Sequence, residues 1–290
     1  MESPLEKAKV LVEALPYIRE FYGKTIVIKY GGNAMIREDL KNKVLLDVVL
    51  MKYVGMNPVL VHGGGPEVSQ VMKKVGKVPE FINGLRVTDQ ETMDIAEMVL
   101  AGKLNKGIVA LLNKNGSKAV GLSGKDGNLI TARKMEVPEG DLGFVGDIEK
   151  INPEVIQVLV DKGYIPVICS VGVGSDGESY NINADHVAGE LAATLKADKL
   201  IMLTDVQGIF EDYHNPDSLI STLPVKKAQA MIESGNIAGG MIPKIEACVR
   251  ALEGGVAKAH IIDGRMEHSL LLEIFTVQGI GTEVVEEEVE

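Results

Sequence analysis

Thr25-Ile-Val-Ile-Lys-Tyr-Gly-Gly-Asn33 is the stretch that decides how this chain folds. Four β-branched residues run without polar alternation into Lys29 and then into a glycine pair. A continuous apolar run closed by a turn signal marks a strand buried on both faces, as in a parallel sheet. The unit recurs downstream. Pro58–His62 runs into Gly63-Gly-Gly-Pro66, and Tyr164–Ser170 runs into Val171-Gly-Val-Gly174. Ala119–Leu122, Leu200–Asp205 and Ala259–Asp263 are further strand candidates. Between them, Glu38–Met56, Pro66–Val75, Asp89–Asn113, Asp185–Lys196, Val225–Glu233 and Pro243–Glu253 carry a helical period, several opening at Asp or Pro and closing near Gly. Strands alternating with helices require right-handed crossovers, so the expected class is α/β: a three-layer αβα sandwich around a mainly parallel sheet. Residues 123–149 break the alternation. Their short runs, Asn128–Arg133 and Gly143–Ile148, predict β-hairpins laid over one end of the sheet. The glycine-rich Val171–Gly177 is the expected seam, dividing the chain into 1–22, 23–173 and 174–290.

The composition narrows the function. The 290 residues hold 30 Lys and Arg against 41 Asp and Glu, for a net charge of −11. Part of that acidity is a solvated tail, Glu283, Glu286, Glu287, Glu288 and Glu290. With no basic stretch the chain is a poor partner for nucleic acid or an anionic membrane. No apolar run reaches the roughly 20 residues of a membrane span, and residues 1–20 lack the apolar core of a signal peptide. Cys169 and Cys248 lie in separate apolar segments without CxxC spacing, against a disulfide scaffold or a thiolate zinc site. A cytoplasmic, globular enzyme is expected. Residues 1–22 form a separate feature. Leu5, Ala8, Leu11, Val12, Leu15, Ile18 and Tyr22 recur at helical spacing, and Pro16 predicts a kink near Leu15. Such a helix packs either on its own domain or on another subunit.

Three glycine clusters follow strands. Beyond the carboxyl ends of parallel strands, backbone N–H groups and helix N-termini bind anions, so phosphate or carboxylate is the expected ligand. The familiar nucleotide motifs fail. Gly23-Lys24-Thr25 has Ile18 where a P-loop needs glycine, and it precedes a strand instead of following one. Gly172-Val-Gly-Ser-Asp-Gly177 matches a dinucleotide fingerprint by letter only, since no helix opens after it. Lys29 stands beside the first cluster, and Lys244 follows Gly239-Gly240-Met-Ile-Pro243 at a helix start, where the helix dipole disfavours a merely solvated lysine. Two lysines beside glycine loops suit phosphoryl transfer, which needs charge neutralisation. Asp185 opens a helix as an N-cap, or else anchors both lysines. The five histidines show no metal-ligand spacing, and no GxSxG or Cys–His pattern points to covalent catalysis.

Six segments carry a family resemblance: Ile28-Lys-Tyr-Gly-Gly-Asn-Ala34, Val61-His-Gly-Gly-Gly-Pro66, Asn83-Gly-Leu-Arg-Val-Thr88, Asn181-Ile-Asn-Ala-Asp185, Leu203-Thr-Asp-Val-Gln-Gly208 and Gly239-Gly-Met-Ile-Pro-Lys244. Through them the chain resembles the amino-acid kinase family, with its carbamate kinase-like fold, over about residues 23–285. The triple-glycine loop and the Asn-Gly-Leu-Arg-Val-Thr run resemble the branch acting on N-acetyl-L-glutamate. The resemblance implies that ATP, carrying Mg²⁺, phosphorylates the side-chain carboxylate of N-acetyl-L-glutamate in arginine biosynthesis. That carboxylate, with a reference pKa of about 4.3, is already ionised and needs no general base. By the same resemblance Lys29 and Lys244 stabilise the transition state and Asp185 orients them. Backbone N–H groups of Gly32 and Gly64 bind the transferring phosphoryl, and Gly64, Gly65, Arg86 and Asn181 hold the acetylglutamate. Thr204, Asp205, Val206, Gln207, Gly208, Ile209, Asn236, Ile237 and Ala238 border the nucleotide, and no protein ligand of Mg²⁺ is named. Residues 23–173 become the acetylglutamate and dimerisation lobe; residues 174–290 become the ATP lobe.

His260-Ile-Ile-Asp-Gly-Arg265, His268-Ser-Leu-Leu-Leu-Glu273 and Gly279-Ile-Gly-Thr282 resemble the signature of arginine-inhibited members, which carry an extra kinked N-terminal helix linking dimers into a hexamer. His260, Glu273 and Gly279 become candidates for an L-arginine site; otherwise they are a strand-end histidine, a helix-face acid and a turn glycine. Some members bind a nitrogen-signalling PII protein, which nothing in this sequence decides. The alternatives are a carbamate, aspartate or glutamate kinase of the same fold, or an amino-acid sensor that has lost catalysis.

Overall fold

A computed structural model describes residues 4–31, 35, 38–212, 214–276 and 279–287. The chain opens with α1 (Pro4–Glu13), α2 (Leu15–Phe21), β1 (Thr25–Tyr30), α3 (Glu38–Tyr53), β2 (Asn57–His62) and α4 (Gly65–Lys74). A small hairpin, β3 (Phe81–Ile82) and β4 (Leu85–Arg86), leads to α5 (Gln90–Glu97), a π-helical segment Met98–Leu104 and α6 (Asn105–Lys114). Next come β5 (Ala119–Leu122), β6 (Ile130–Lys134), β7 (Gly146–Ile151), α7 (Glu154–Asp161), β8 (Ile165–Cys169), β9 (Val171–Val173) and β10 (Ser179–Asn181). The last part holds α8 (Ala184–Leu195), β11 (Lys199–Thr204), β12 (Thr222–Pro224), α9 (Val225–Glu233), α10 (Ile242–Glu253), β13 (Lys258–Asp263), α11 (Ser269–Phe275) and β14 (Thr282–Val285).

Eight strands form the main sheet in the order β12-β14-β13-β11-β1-β2-β8-β5, parallel except at β13–β14. Both faces are covered, which is why its central strands read as unbroken apolar runs. On β1, Ile26 and Ile28 enter the core shared with α3, α4, α5, α6 and α11, while Val27 enters the core shared with α7, α8, α9 and α10. The three expected layers are thus present. After β1 the chain first builds outward through β2 and later returns to add β11 on its other side. The carboxyl end of β1 is therefore a topological switch point, where open α/β sheets bind ligands.

A second sheet, β10-β9-β6-β7, lies where hairpins were expected, with β6 and β7 antiparallel and a register shift between Thr131 and Ala132. The 173/174 boundary falls in the turn between the paired strands β9 and β10. Helix α7, the edge strand β12 and its neighbour β14 were not anticipated, and the expected Asp89–Asn113 helix carries the π-helical segment at its centre. Cys169 and Cys248 are buried free thiols. Among the described residues no helix is long and apolar enough to cross a membrane.

The N-terminal segment is divided into two helices at Ala14. Ala14 stays helical (φ −74°, ψ −17°), and hydrogen bonds run from Ala14 N–H to Val10 O and from Ile18 N–H to Ala14 O. Pro16 has no N–H to continue the ladder, so α1 and α2 part there. Helix α2 packs on the body through buried Phe21 and an edge-on contact of Tyr17 with Phe275. Helix α1 exposes Leu5, Val10, Leu11 and Val12.

Candidate active site

Alternation along β1 puts Lys29 on the same face as Val27, towards α8. There Asp185, in the first turn of α8, bridges two ammonium groups: Lys29 Nζ is 2.7 Å from Oδ1 and Lys244 Nζ is 2.7 Å from Oδ2. Asn183 is the N-cap, its Oδ1 accepting from the Asp185 N–H at 2.8 Å. The Asp185 carboxylate is thereby released from capping, which resolves the two sequence readings. Lys244, in the first turn of α10, reaches Asp185 because α8 and α10 cross closely. A Cβ on Gly189 would lie 2.8 Å from Ala247 Cα, so only glycine permits the approach.

Lys29 and Asp185 are 8% and 5% exposed, which makes solvent screening slight. Burial drives the Lys29 ammonium below its ordinary value, with the charge of Lys244 adding to the shift and Asp185 opposing it. Burial pushes the Asp185 carboxyl up, but the charges of Lys29 and Lys244, with the hydrogen bond from Lys244, hold it below the usual carboxylate range. The bridge itself therefore sets two cations on one anion.

Two cavities flank this bridge. The first, about 240 Å³, is lined by Lys29, Gly31, Gly63, Gly64, Gly65, Arg86, Ser170, Asn181 and Ala184. It gathers the ends of β1, β2, β8 and β10, and it brings together the predicted Gly64, Gly65, Arg86 and Asn181. Arg86 is itself buried, on the small hairpin, with its guanidinium 4.8 Å from the Phe81 ring centroid. Its Nη2 donates to Gly65 O and Ser69 Oγ, both at 2.8 Å, and among the described residues Nη1 meets only the Met72 thioether at 3.2 Å. A thioether is a weak acceptor, so Nη1 is the arm most easily given to an incoming carboxylate. Asn181 donates to Thr88 Oγ1 at 3.3 Å. Gly32, the other predicted phosphoryl donor, lies outside the described residues.

The second cavity, about 470 Å³, is lined by Thr204, Asp205, Val206, Gly208, Ile209, Asn236, Ile237, Ala238 and Lys244. Of the residues expected to border a nucleotide, it gathers all but Gln207. Lys29 lines one cavity and Lys244 the other, so Asp185 joins them across the point where a transferred group would pass. Sequence reasoning missed Ser170, Ala184 and Asn183, and dismissed His62. Ser170 and Asn183 belong to segments already singled out and were the findable ones.

A third cavity, about 420 Å³, lies at the opposite end of the strands. Lys199 and Lys258 line it from the starts of β11 and β13, with Tyr17, Glu20 and Phe21 from α2, and it also contains His260, Glu273 and Gly279. His260 Nδ1 is 2.7 Å from Glu273 Oε1, and Glu273 Oε2 accepts from Ile280 N–H at 2.9 Å. Burial raises the Glu273 carboxyl, yet His260 and the Ile280 N–H bring it below its ordinary value. Gly279 adopts φ +58°, and a Cβ there would approach the Glu273 carboxylate to 3.2 Å.

The chain was compared with known proteins. An acetylglutamate kinase from Pelotomaculum thermopropionicum is 61% identical across 98% of this chain and 99% of its own length. An N-acetylglutamate synthase from Neisseria gonorrhoeae, solved with coenzyme A and N-acetyl-glutamate, is 30% identical with a TM-score of 0.86. That match covers 99% of this chain and 65% of the synthase chain. The same synthase has been solved with coenzyme A and L-arginine. A carbamate kinase from Giardia lamblia bound to AMP-PNP is 21% identical, covers 91% of this chain and 99% of its own, and shares the fold at a TM-score of 0.66. The Amino acid kinase family matches residues 24–263. With the sheet, the glycine loops and the bridged lysines in place, this chain belongs to the amino acid kinase family.

Proposed function

We propose that the Lys29–Asp185–Lys244 bridge serves one reaction, transfer of the ATP γ-phosphoryl group to the side-chain carboxylate of N-acetyl-L-glutamate, giving the acyl phosphate and ADP. The chain is a phosphotransferase of arginine biosynthesis, as its 61% identity to an acetylglutamate kinase supports. The observation that carries the mechanism is one buried carboxylate holding two ammonium groups at 2.7 Å, each lining a different cavity.

The acceptor carboxylate needs no base. Attack requires only that two anions be brought together and that the charge spread over the moving phosphoryl be neutralised. Acetylglutamate fits the smaller cavity, its carboxylate on Arg86 and its polar groups near Asn181. ATP fits the larger one, its phosphates directed at Lys244. Lys29 and Lys244 then flank the transferring group while Asp185 fixes their separation. Gly64 N–H supplies a further donor, and Gly32 is assigned the same role. Mg²⁺ would supply added charge neutralisation on the ATP phosphates. Among the described residues no cluster of three His, Cys, Asp or Glu side chains could hold a metal unaided. Asp205, a carboxylate lining the nucleotide cavity, is suited to help hold the ion.

Arginine is assigned to the third cavity as a feedback inhibitor. Its guanidinium and ammonium suit Glu273 and the carbonyls around Gly279. The Neisseria synthase complex with L-arginine supports this reading. The apolar face left open on α1 supports an arm that joins dimers into a hexamer, leaving residues 23–173 as the substrate lobe and 174–290 as the nucleotide lobe. The test is trapping of the acyl phosphate with hydroxylamine, comparing N-acetyl-L-glutamate with glutamate, aspartate and carbamate, with and without L-arginine. Turnover of an unacetylated acceptor at an equal rate would overturn the assignment.

A further inference from the structure

One buried ionisable group is unused by this mechanism. His62 ends β2 and is fully buried, and burial drives its imidazole down to about 4, leaving the ring neutral near neutral pH. A neutral imidazole has one N–H and one accepting nitrogen. Nδ1 is 2.8 Å from Gly63 O, which can only accept, so Nδ1 carries the hydrogen. Nε2, 3.1 Å from Asn105 Nδ2, then accepts. The tautomer is assigned from this network. Asn105 is itself fixed: its Nδ2 donates to Val167 O on β8 at 2.9 Å, and its Oδ1 accepts from Lys106 Nζ at 3.1 Å.

The consequence lies one peptide further on. Among the described residues there are no cis bonds, and in a trans peptide the C=O and the following N–H point in opposite directions. A Gly63 carbonyl held on the His62 ring therefore turns the Gly64 N–H away from that ring. Gly64 lines the same cavity as Lys29. Its Cα is pressed against the π-helical segment, where a Cβ would collide with Leu100 and Leu104. That segment ends at Leu104 and α6 opens directly after it at Asn105, so two consecutive helical elements support the loop and the histidine. Gly63-Gly64-Gly65 has little intrinsic preference for either peptide orientation, because glycine tolerates both. A flipped Gly63–Gly64 peptide would present a carbonyl oxygen where an N–H is needed.

We propose that His62, through its Nδ1–H bond to the Gly63 carbonyl, is a positioning residue that aims the Gly64 N–H at the transferring phosphoryl group. The inference rests on the phosphoryl-transfer reading above. Losing an oxyanion-type donor outright costs ~10²–10³ in kcat, and a donor that is only disordered retains part of its effect, so a fall of ~10–100-fold is expected.

The test compares three variants of the full chain. His62→Asn places an amide nitrogen at the Nδ1 position and can still donate to Gly63 O. His62→Gln carries its donor one bond further out, and His62→Leu has none. Gln and Leu variants should lose ~10–100-fold in kcat with the KM values for ATP and acetylglutamate within about threefold, while Asn retains kcat within about threefold of the wild type. Thermal unfolding checks that each variant is folded. Should Leu fail to fold, the Asn–Gln comparison decides alone, since both are polar amides. Near-normal kcat in folded Gln, or equal losses in Asn and Gln, overturns the inference. A wild-type chain that does not turn over acetylglutamate overturns the proposed function instead, so the two failures are distinguishable.

Discussion

Replacing Asp185 with asparagine removes the single anion between two cations while keeping the side chain's shape. Each Lys–Asp185 contact is 2.7 Å long, and at an effective dielectric constant of about 20 each attraction is about 6 kcal/mol. Lys29 cannot simply remain charged without it. Burial and the Lys244 charge already press the Lys29 ammonium down, and Asp185 is the group that opposes them. In Asp185→Asn, Lys29 therefore gives up its proton at a lower pH than in the wild type. The chemistry needs the ammonium form, so activity is lost as pH rises through this lowered pKa and is partly recovered at lower pH. Losing one preorganised charge predicts a fall in kcat of ~10²–10³ at neutral pH. Breaking a buried ion pair on one side predicts a stability loss of about 3–5 kcal/mol, limited by the ability of lysine to neutralise. The assay is kcat from about pH 6 to about pH 9 for both proteins, with urea unfolding alongside. An unshifted alkaline limb with kcat within tenfold of wild type would refute the bridge as an electrostatic device.

Four further outcomes follow from the geometry. Arg86→Lys should raise KM for acetylglutamate at least ~10-fold and leave KM for ATP unchanged, because an ammonium cannot copy the fork; equal effects on both constants would make Arg86 structural. Glu273→Gln, which keeps an acceptor for Ile280 N–H, should weaken arginine inhibition ~10-fold or more without changing oligomer size, whereas deleting residues 1–13 should reduce a hexamer to dimers and leave kcat intact; light scattering and an arginine titration check both. Stability should respond to acid through opposed groups. His62 is depressed to about 4, so between about pH 6.5 and about pH 4 the unfolded chain binds a proton the folded chain refuses, and stability falls as pH falls. Burial lifts Asp47 to about 6 against its His268 partner, so across about pH 6 to pH 4 the folded chain holds the extra proton and stability rises as pH falls. Asp47→Asn should therefore lose stability more steeply over that window than the wild type, and equal slopes would refute the assignment.

The central sheet was legible because burial on both faces leaves no polar alternation, and each of its first strands ends at a glycine loop or a lysine. The short edges were not. Thr222–Pro224 and Thr282–Val285 are too brief to carry a period and become strands only by pairing with each other and with β13. Asp185 was visible but ambiguous, since an acid at a helix start is an ordinary cap. Only the fold shows Asn183 doing the capping and Asp185 turned to the lysines. His62 and Asn105 stand 43 residues apart, and nothing local joins a strand-end histidine to an asparagine after a π-helical segment. The residues proposed to hold arginine were legible through the family resemblance alone and carried no chemical motif of their own. Their gathering depends on β14 pairing antiparallel to β13.

The most direct test of the bridged lysines is affinity for a mimic of the transferring phosphoryl, ADP with aluminium fluoride and Mg²⁺ in the presence of acetylglutamate. Wild type, Lys29→Ala and Lys244→Ala would be compared, with the affinities for ATP and acetylglutamate measured separately. If the lysines act on the moving phosphoryl, each variant loses ~100-fold or more for the mimic and about threefold or less for either substrate. Parallel losses for the mimic and for ATP would show that the lysines only bind the nucleotide, contradicting the proposed mechanism.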